Sequence, residues 1–150
     1  MHLSVLNNIQ RSLTQGLGTD KTTVSVGLGV AIAYALPIPS EGQRDAGNFY
    51  VKNHFVHVDT FLAELNEVFL VEIQTALDVA RTIWKIRYDS VYIDRDNIEQ
   101  IASGNNPVRE YLAGYSLDDE EIKKVLATGL LLSNQLHETD ICKTAMTVRG

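Results

Sequence analysis

The sequence has little cysteine and no long apolar run, and each shortage excludes a class of protein. Its one cysteine, Cys142, cannot form a disulfide within the chain, and no Asn-x-Ser/Thr acceptor for N-glycosylation occurs. Both features favour a reducing compartment, so we expect a cytoplasmic protein. The longest apolar run, residues 24–36, is shorter than the ~20 residues that span a bilayer. We therefore expect no membrane partner.

The sequence also lacks a basic cluster of the kind that binds nucleic acid. It carries 13 Lys and Arg against 19 Asp and Glu, for a net charge of -6, and its basic residues are scattered or lie beside acids. We expect no nucleic-acid partner. With 150 residues, of which 45% are hydrophobic, the chain is long enough to bury a sizeable core as a single domain over residues 1–150.

Motifs that carry known catalytic chemistry are missing as well. No G-x-S-x-G, P-loop or zinc-ribbon spacing occurs. The stretch that starts at Asp94 resembles the opening of a calcium loop, but it has Glu99 where Gly is required and Asn105 where Glu is required. We assign no catalytic residue and expect no cofactor.

The first pattern present is an alternation of large and small residues over residues 22–36, with Val24, Val26, Leu28 and Val30 as large members. A period of two predicts a strand. Residues 49–58 are rich in aromatic and β-branched types, which predicts a second strand and an antiparallel hairpin. The rival interpretation is a helix over residues 20–36, since its alanines favour helix and Pro37 would end it.

The second pattern is a run of apolar residues at spacings of three and four over residues 59–89, without Gly or Pro. It predicts one long helix with Asp59 as its N-cap. Four apolar residues in succession, Val68 to Val71, indicate that the middle of this helix is covered on several sides.

Shorter helices are predicted around these elements. An N-terminal amphipathic helix ends at Gly16 and Gly18. Three further helices form a C-terminal group: one ending at Gly104, one from Pro107 to Gly114, and one with an inward stripe that reaches Leu136. Ser116 and Asp119 resemble a capping box at the start of the last helix.

The predicted fold is therefore α+β and helix-dominated. The hairpin of residues 22–36 and 49–58 packs on the long central helix of residues 59–89, beside a C-terminal helical subdomain. The alternative is an all-α bundle in which residues 20–36 are helical.

For function, the sequence favours a non-enzymatic structural or assembly protein that self-associates or joins a larger complex. The hairpin lacks visible partner strands, and the long helix has more apolar surface than one side of a small domain covers. We expect a homo-oligomer or a complex subunit, built by strand-edge pairing and helix contacts. The predicted interface residues are Val26, Leu28, Val30, Phe69, Val71, Ile73 and Trp84.

The alternative function is that of a small metal-binding protein or metal-dependent enzyme. On a strand, His57 and Asp59 share a face, and Glu64 follows on the next helix. If the segment is helical, His54 and His57 share a face instead. A third possibility, a small-molecule pocket between the hairpin and the long helix, has no polar group of residues to support it.

Overall fold

A computed structural model of the protein describes residues 3–36, 47–69, 71–89 and 93–136, with side chains for 3–36, 58–69, 71–87 and 93–136. Over these ranges the chain forms seven α-helices and no strand. They are α1 Leu3–Leu17, α2 Lys21–Ala35, α3 Gly47–Val68, α4 Ile73–Asp89, α5 Ile98–Ser103, α6 Pro107–Ala113 and α7 Asp119–Leu136.

Helix α2 is the centre of the molecule. It packs extensively against α4 and α7 and also contacts α1, and every residue from Val24 to Leu36 is buried. The predicted strand over residues 22–36 is therefore wrong. A period of two distinguishes a strand from a helix only where one face meets water, and α2 has no such face beyond its first turn.

The second predicted strand, residues 49–58, is also wrong, because it lies within α3. Its aromatic and β-branched residues are typical of strands, but that preference is weak and tertiary context overrides it. Further along α3, Val58, Phe61, Leu62 and Leu65 are buried at helical spacing. With both strands gone, the α+β hairpin fold is replaced by the alternative, an all-α bundle in which residues 20–36 are helical.

The single long helix predicted over residues 59–89 is two helices. α3 ends at Val68 and α4 begins at Ile73. Two side chains satisfy backbone donors at the break: Asn66 Oδ1 accepts from the N–H of Val71, and Ser25 Oγ accepts from the N–H of Glu72, both at 2.9 Å. The apolar spacing continues across the break because both helices bury residues in the same core.

Glycines allow the helices around α2 to approach closely. A Cβ on Gly29 would lie 2.6 Å from Val79 Cβ and 2.7 Å from the carbonyl oxygen of Ala76 in α4. A Cβ on Gly129 of α7 would lie 2.5 Å from Val30 Cγ1 in α2. The small residues of α2 therefore permit close packing of the helices around it.

Several of the predicted helix ends are confirmed. α1 ends at Leu17, before Gly18 with its φ of 80°, and α6 begins at Pro107 and is followed by Gly114. α7 spans Asp119–Leu136, close to the predicted helix.

The predicted capping box of α7 is displaced. Asp118 Oδ1 accepts from the N–H of Glu121 at 2.8 Å, and Glu121 Oε1 accepts from the N–H of Asp118 at 3.1 Å. Ser116 belongs instead to the turn before the helix, where its φ is 64°. The reciprocal bonds satisfy backbone donors that the first turn of a helix leaves without partners.

Candidate functional site

The solvent-facing side of α7 changes character halfway along the helix. Seven of its positions are exposed, and five of them recur at alternating spacings of four and three residues: Glu120, Lys124, Ala127, Leu131 and Asn134, beside Asp119 and Gln135. The first two are charged, whereas α7 contains no ionisable residue from Ala127 to Leu136. Leu131 has 61% of its surface exposed, although it is a large apolar residue.

A groove of about 620 Å³ runs beside this uncharged half of α7. Ile93 and Ile98 in its wall are buried, and Leu130 is half-buried. The lining residues are Ile93, Asp94, Arg95, Ile98, Ala127, Leu130, Leu131, Ser133 and Asn134. Exposed Leu131 and the groove together form one surface of mixed apolar and polar character.

The wall opposite α7 is held by a turn that precedes α5. Asp94 Oδ1 accepts from the backbone N–H of Asp96 at 2.8 Å and of Asn97 at 3.2 Å. Asn97 Oδ1 in turn accepts from the N–H of Asp94 at 2.9 Å. A salt bridge of 3.6 Å between Lys123 and Glu99 joins α7 to α5. The groove is therefore built on an ordered turn and two connected helices.

The groove contains one acid and one base. The carboxylate of Asp94 is engaged by the turn, as described above. Arg95 is exposed on the rim and forms no ion pair with the residues that the structure describes. Arg95 therefore places an exposed cation at the rim of the groove.

A second hollow, of about 520 Å³, lies between the start of α2 and the turn from α6 to α7. Two of its hydroxyl groups already bond within the protein: Thr22 donates to Glu72 Oε1 at 2.8 Å, and Thr23 donates to Asp20 Oδ2 at 2.8 Å. Its lining residues are Leu17, Asp20, Thr22, Thr23, Tyr115, Ser116, Leu117, Glu121 and Lys124. The donor hydrogens of both threonine hydroxyls are therefore already engaged within the protein.

The pKa values of Tyr115 and Asp20, which line this hollow, are shifted by contacts that hold the fold together. Burial raises the pKa of Tyr115, and the hydrogen bond between its hydroxyl and that of Tyr111, 3.1 Å long, adds to the rise. The backbone N–H of Thr23 lowers the pKa of Asp20, and the Thr23 hydroxyl assists. Tyr115 is therefore a neutral phenol and Asp20 a helix cap.

The interface residues predicted from the sequence lie mostly inside the chain's own core. Val26, Leu28 and Val30 are fully buried in α2, so strand-edge pairing through them is ruled out with the strand itself. Val71 and Trp84 are also buried. Phe69 and Ile73 lie half-buried at the break between α3 and α4, and an interface there stays a prediction.

The predicted metal ligands lie along α3. The side chains of His54 and His57 fall outside the described residues, Asp59 is exposed and Glu64 is half-buried. Residues two apart on a helix are separated by about 200° around its axis, so the reason for His57 and Asp59 to share a face no longer applies. No group of three metal-ligating side chains occurs among those that the structure describes.

The sequence analysis does not predict the exposed surface of α7, although a signal for it exists. The inward stripe predicted for α7 is confirmed except that Leu130 is half-buried and Leu132 takes its place in the core, and Leu131 falls on the solvent-facing side of that helix. A leucine at a position that faces water, within an uncharged half-helix, is the pattern that indicates such a surface.

Comparisons with protein-family models, with curated proteins and with solved structures find no match for the chain. Within the described ranges, none of the helices has the length and apolar character needed to cross a membrane.

Proposed function

We propose that the protein is a non-enzymatic structural or assembly protein that self-associates or serves as a subunit of a larger complex. One observation carries this proposal: Leu131 is 61% exposed beside a mixed groove whose wall includes Ile93 and Ile98, on a half-helix without ionisable residues. Contact surfaces between proteins are depleted of charged residues at their centre and contain apolar anchors surrounded by polar groups.

The acidic side chains described above support a structural role over a catalytic one. Asp20 caps α2, Asp118 and Glu121 cap α7, and Asp94 holds the turn before α5. Each of these carboxylates already accepts hydrogen bonds from the backbone next to it. Catalytic acids and bases instead converge on a space that a substrate can occupy.

A cytoplasmic location belongs to the same proposal. It is supported by the single cysteine and by the lack of an N-glycosylation acceptor in the sequence.

The proposal is tested by sedimentation velocity of the purified protein over a wide concentration range. We expect a mass above the 16.7 kDa of one chain that rises with concentration. The second arm isolates the tagged protein from its source cells and identifies proteins that co-purify at fixed stoichiometry. A mass of one chain at every concentration, together with no stoichiometric partner, would contradict the proposal.

A further inference from the structure

We propose that α7 is the contact between two copies of the chain. In this dimer the two α7 helices lie antiparallel across a two-fold axis, and Leu131 of each copy packs on Ala127 of the other. The inference rests on the proposed function and names the surface and the symmetry through which self-association occurs.

The spacing along α7 supplies the geometry. Five of the seven exposed positions of α7 recur at alternating intervals of four and three residues, which is the spacing of the seam with which two helices pack side by side. Ala127 and Leu131 are one turn apart, about 6 Å along the axis. An antiparallel two-fold arrangement centred at position 129 places residue 127 opposite residue 131 and residue 124 opposite residue 134. Leu131 of each copy then lies opposite Ala127 of the other, so the dimer contains this contact twice.

This complementarity favours a second copy over an unrelated partner. A lone exposed leucine is ordinary on a protein surface. Here the same helix also offers an exposed alanine one turn away, and a two-fold axis uses both residues in both copies. The groove beside Leu131 extends the surface that the second α7 covers.

Charge also favours this face. Two copies of a chain with a net charge of -6 repel each other over most orientations. The half-helix from Ala127 to Leu136 carries no charge, so two copies can approach there without burying like charges. The same register places Lys124 opposite Asn134, whose side-chain oxygen accepts hydrogen bonds.

The first test compares Leu131→Glu with Leu3→Glu in sedimentation velocity. Both leucines are more than half exposed, so both variants fold, which circular dichroism verifies. We expect Leu131→Glu to raise the dimer dissociation constant at least about tenfold, because a buried apolar anchor becomes a buried charge. Leu3→Glu, on α1, leaves the constant unchanged.

The outcomes separate this inference from the proposed function. If Leu131→Glu self-associates as tightly as the wild type, the α7 contact is overturned and the assembly role still stands. A wild-type chain that is monomeric at every concentration would remove the α7 dimer, while a stoichiometric partner from cells would still support a subunit role.

A second test examines the register. Ala127→Cys and Leu131→Cys are made in separate chains that also carry Cys142→Ser, and the chains are oxidised with glutathione disulfide alone or mixed. We expect the mixture to form a disulfide-linked dimer several-fold faster than either chain alone, because positions 127 and 131 face each other. Equal cross-linking of the mixture and of one chain alone would overturn the antiparallel register.

Discussion

The guanidinium group of Arg87 in α4 donates from Nη1 to the carbonyl oxygen of Leu36, 3.2 Å away, at the end of α2. The same atom lies 3.2 Å from the carbonyl oxygen of Ala33, and the group stacks 4.8 Å over the ring of Tyr34. The last carbonyls of a helix have no partner within it, and a cation there also interacts favourably with the helix dipole. One side chain from α4 therefore caps α2, in which every residue from Val24 to Ala35 is buried.

Replacing this cap is expected to destabilise the fold. Arg87→Met keeps much of the side chain's apolar length but removes the donors to α2, and hydrogen bonds to a charged group contribute about 1.5–3 kcal/mol. We expect a loss of that size in the free energy of unfolding, measured with urea. Lys85→Met, at an exposed position of the same helix, is the control and should change little. Equal losses in the two variants would contradict the capping role.

The close approach of α2 and α4 at Gly29 predicts that even one methyl group is harmful there. An alanine Cβ at this position would lie 2.7 Å from the backbone oxygen of Ala76, which cannot move aside alone. Overpacking costs about 1–3 kcal/mol, more than the ~1 kcal/mol that alanine gains over glycine in a helix. We expect Gly29→Ala to lower the melting temperature measured by calorimetry.

Gly114→Ala is the matched control for that substitution. Gly114 is exposed, has right-handed helical dihedral angles, and its nearest contact for a Cβ is 3.1 Å. The melting temperature of the Gly114→Ala variant should therefore change much less than that of the Gly29→Ala variant. If Gly29→Ala melts at or above the wild-type temperature, the helices are not packed as closely as the structure has them.

The Glu72 carboxylate connects the start of α2 to the start of α4. Its Oε1 accepts from the Thr22 hydroxyl at 2.8 Å, and its Oε2 accepts from the Thr75 hydroxyl at 2.9 Å. Thr22→Val removes one donor at constant shape, which we expect to lower the free energy of unfolding by about 1 kcal/mol. Thr14→Val is the control, because that exposed hydroxyl bonds only within its own helix. A loss no larger than the control's would show that the connection does not stabilise the fold.

The sequence predicts a helix well where one side of that helix faces solvent and the other faces the core. α7 was predicted closely because its apolar residues, among them Ile122, Val125 and Leu126, recur on one side and its charges on the other. α2 defeats the same method. Its buried residues lie on all sides of the helix, so no single face is marked as buried. The alternation of large and small residues instead reflects how closely each neighbouring helix approaches.

The break between α3 and α4 was hidden for a related reason. No Gly or Pro marks it, and apolar residues continue through Val68, Phe69 and Val71 at spacings that also suit one helix. The bonds that stabilise the break come from Asn66 five residues away and from Ser25 in α2. Such a contact between distant segments cannot be predicted from local periodicity.

The exposed surface of α7 could have been predicted from the sequence, whereas the groove beside it could not. Leu131 can be assigned to the solvent side from helical spacing alone. The opposite wall is contributed by Ile93 and Ile98, more than thirty residues earlier, and only the packing of α5 on α7 brings them there.

The cap of α2 predicts a dependence of stability on pH. The carboxylate of Asp20 accepts from the N–H of Thr23 at 3.0 Å and from its hydroxyl at 2.8 Å, and these bonds lower the pKa of Asp20 in the folded state below its usual 3.8. The ionised carboxylate is therefore favoured by folding. Its contribution is fully present above the unfolded pKa and is lost as the pH falls through the folded pKa.

Asp20→Asn separates this effect from the cap itself, because an amide oxygen also accepts at an N-cap but does not titrate. We expect the difference in unfolding free energy between the wild type and this variant to narrow from about pH 7 to about pH 3. Thr23→Val, which removes the hydroxyl donor to the carboxylate, should itself weaken the pH dependence of stability. Urea titrations at both pH values measure all three proteins. A difference between wild type and Asp20→Asn that stays constant would mean that folding does not favour the ionised form of Asp20.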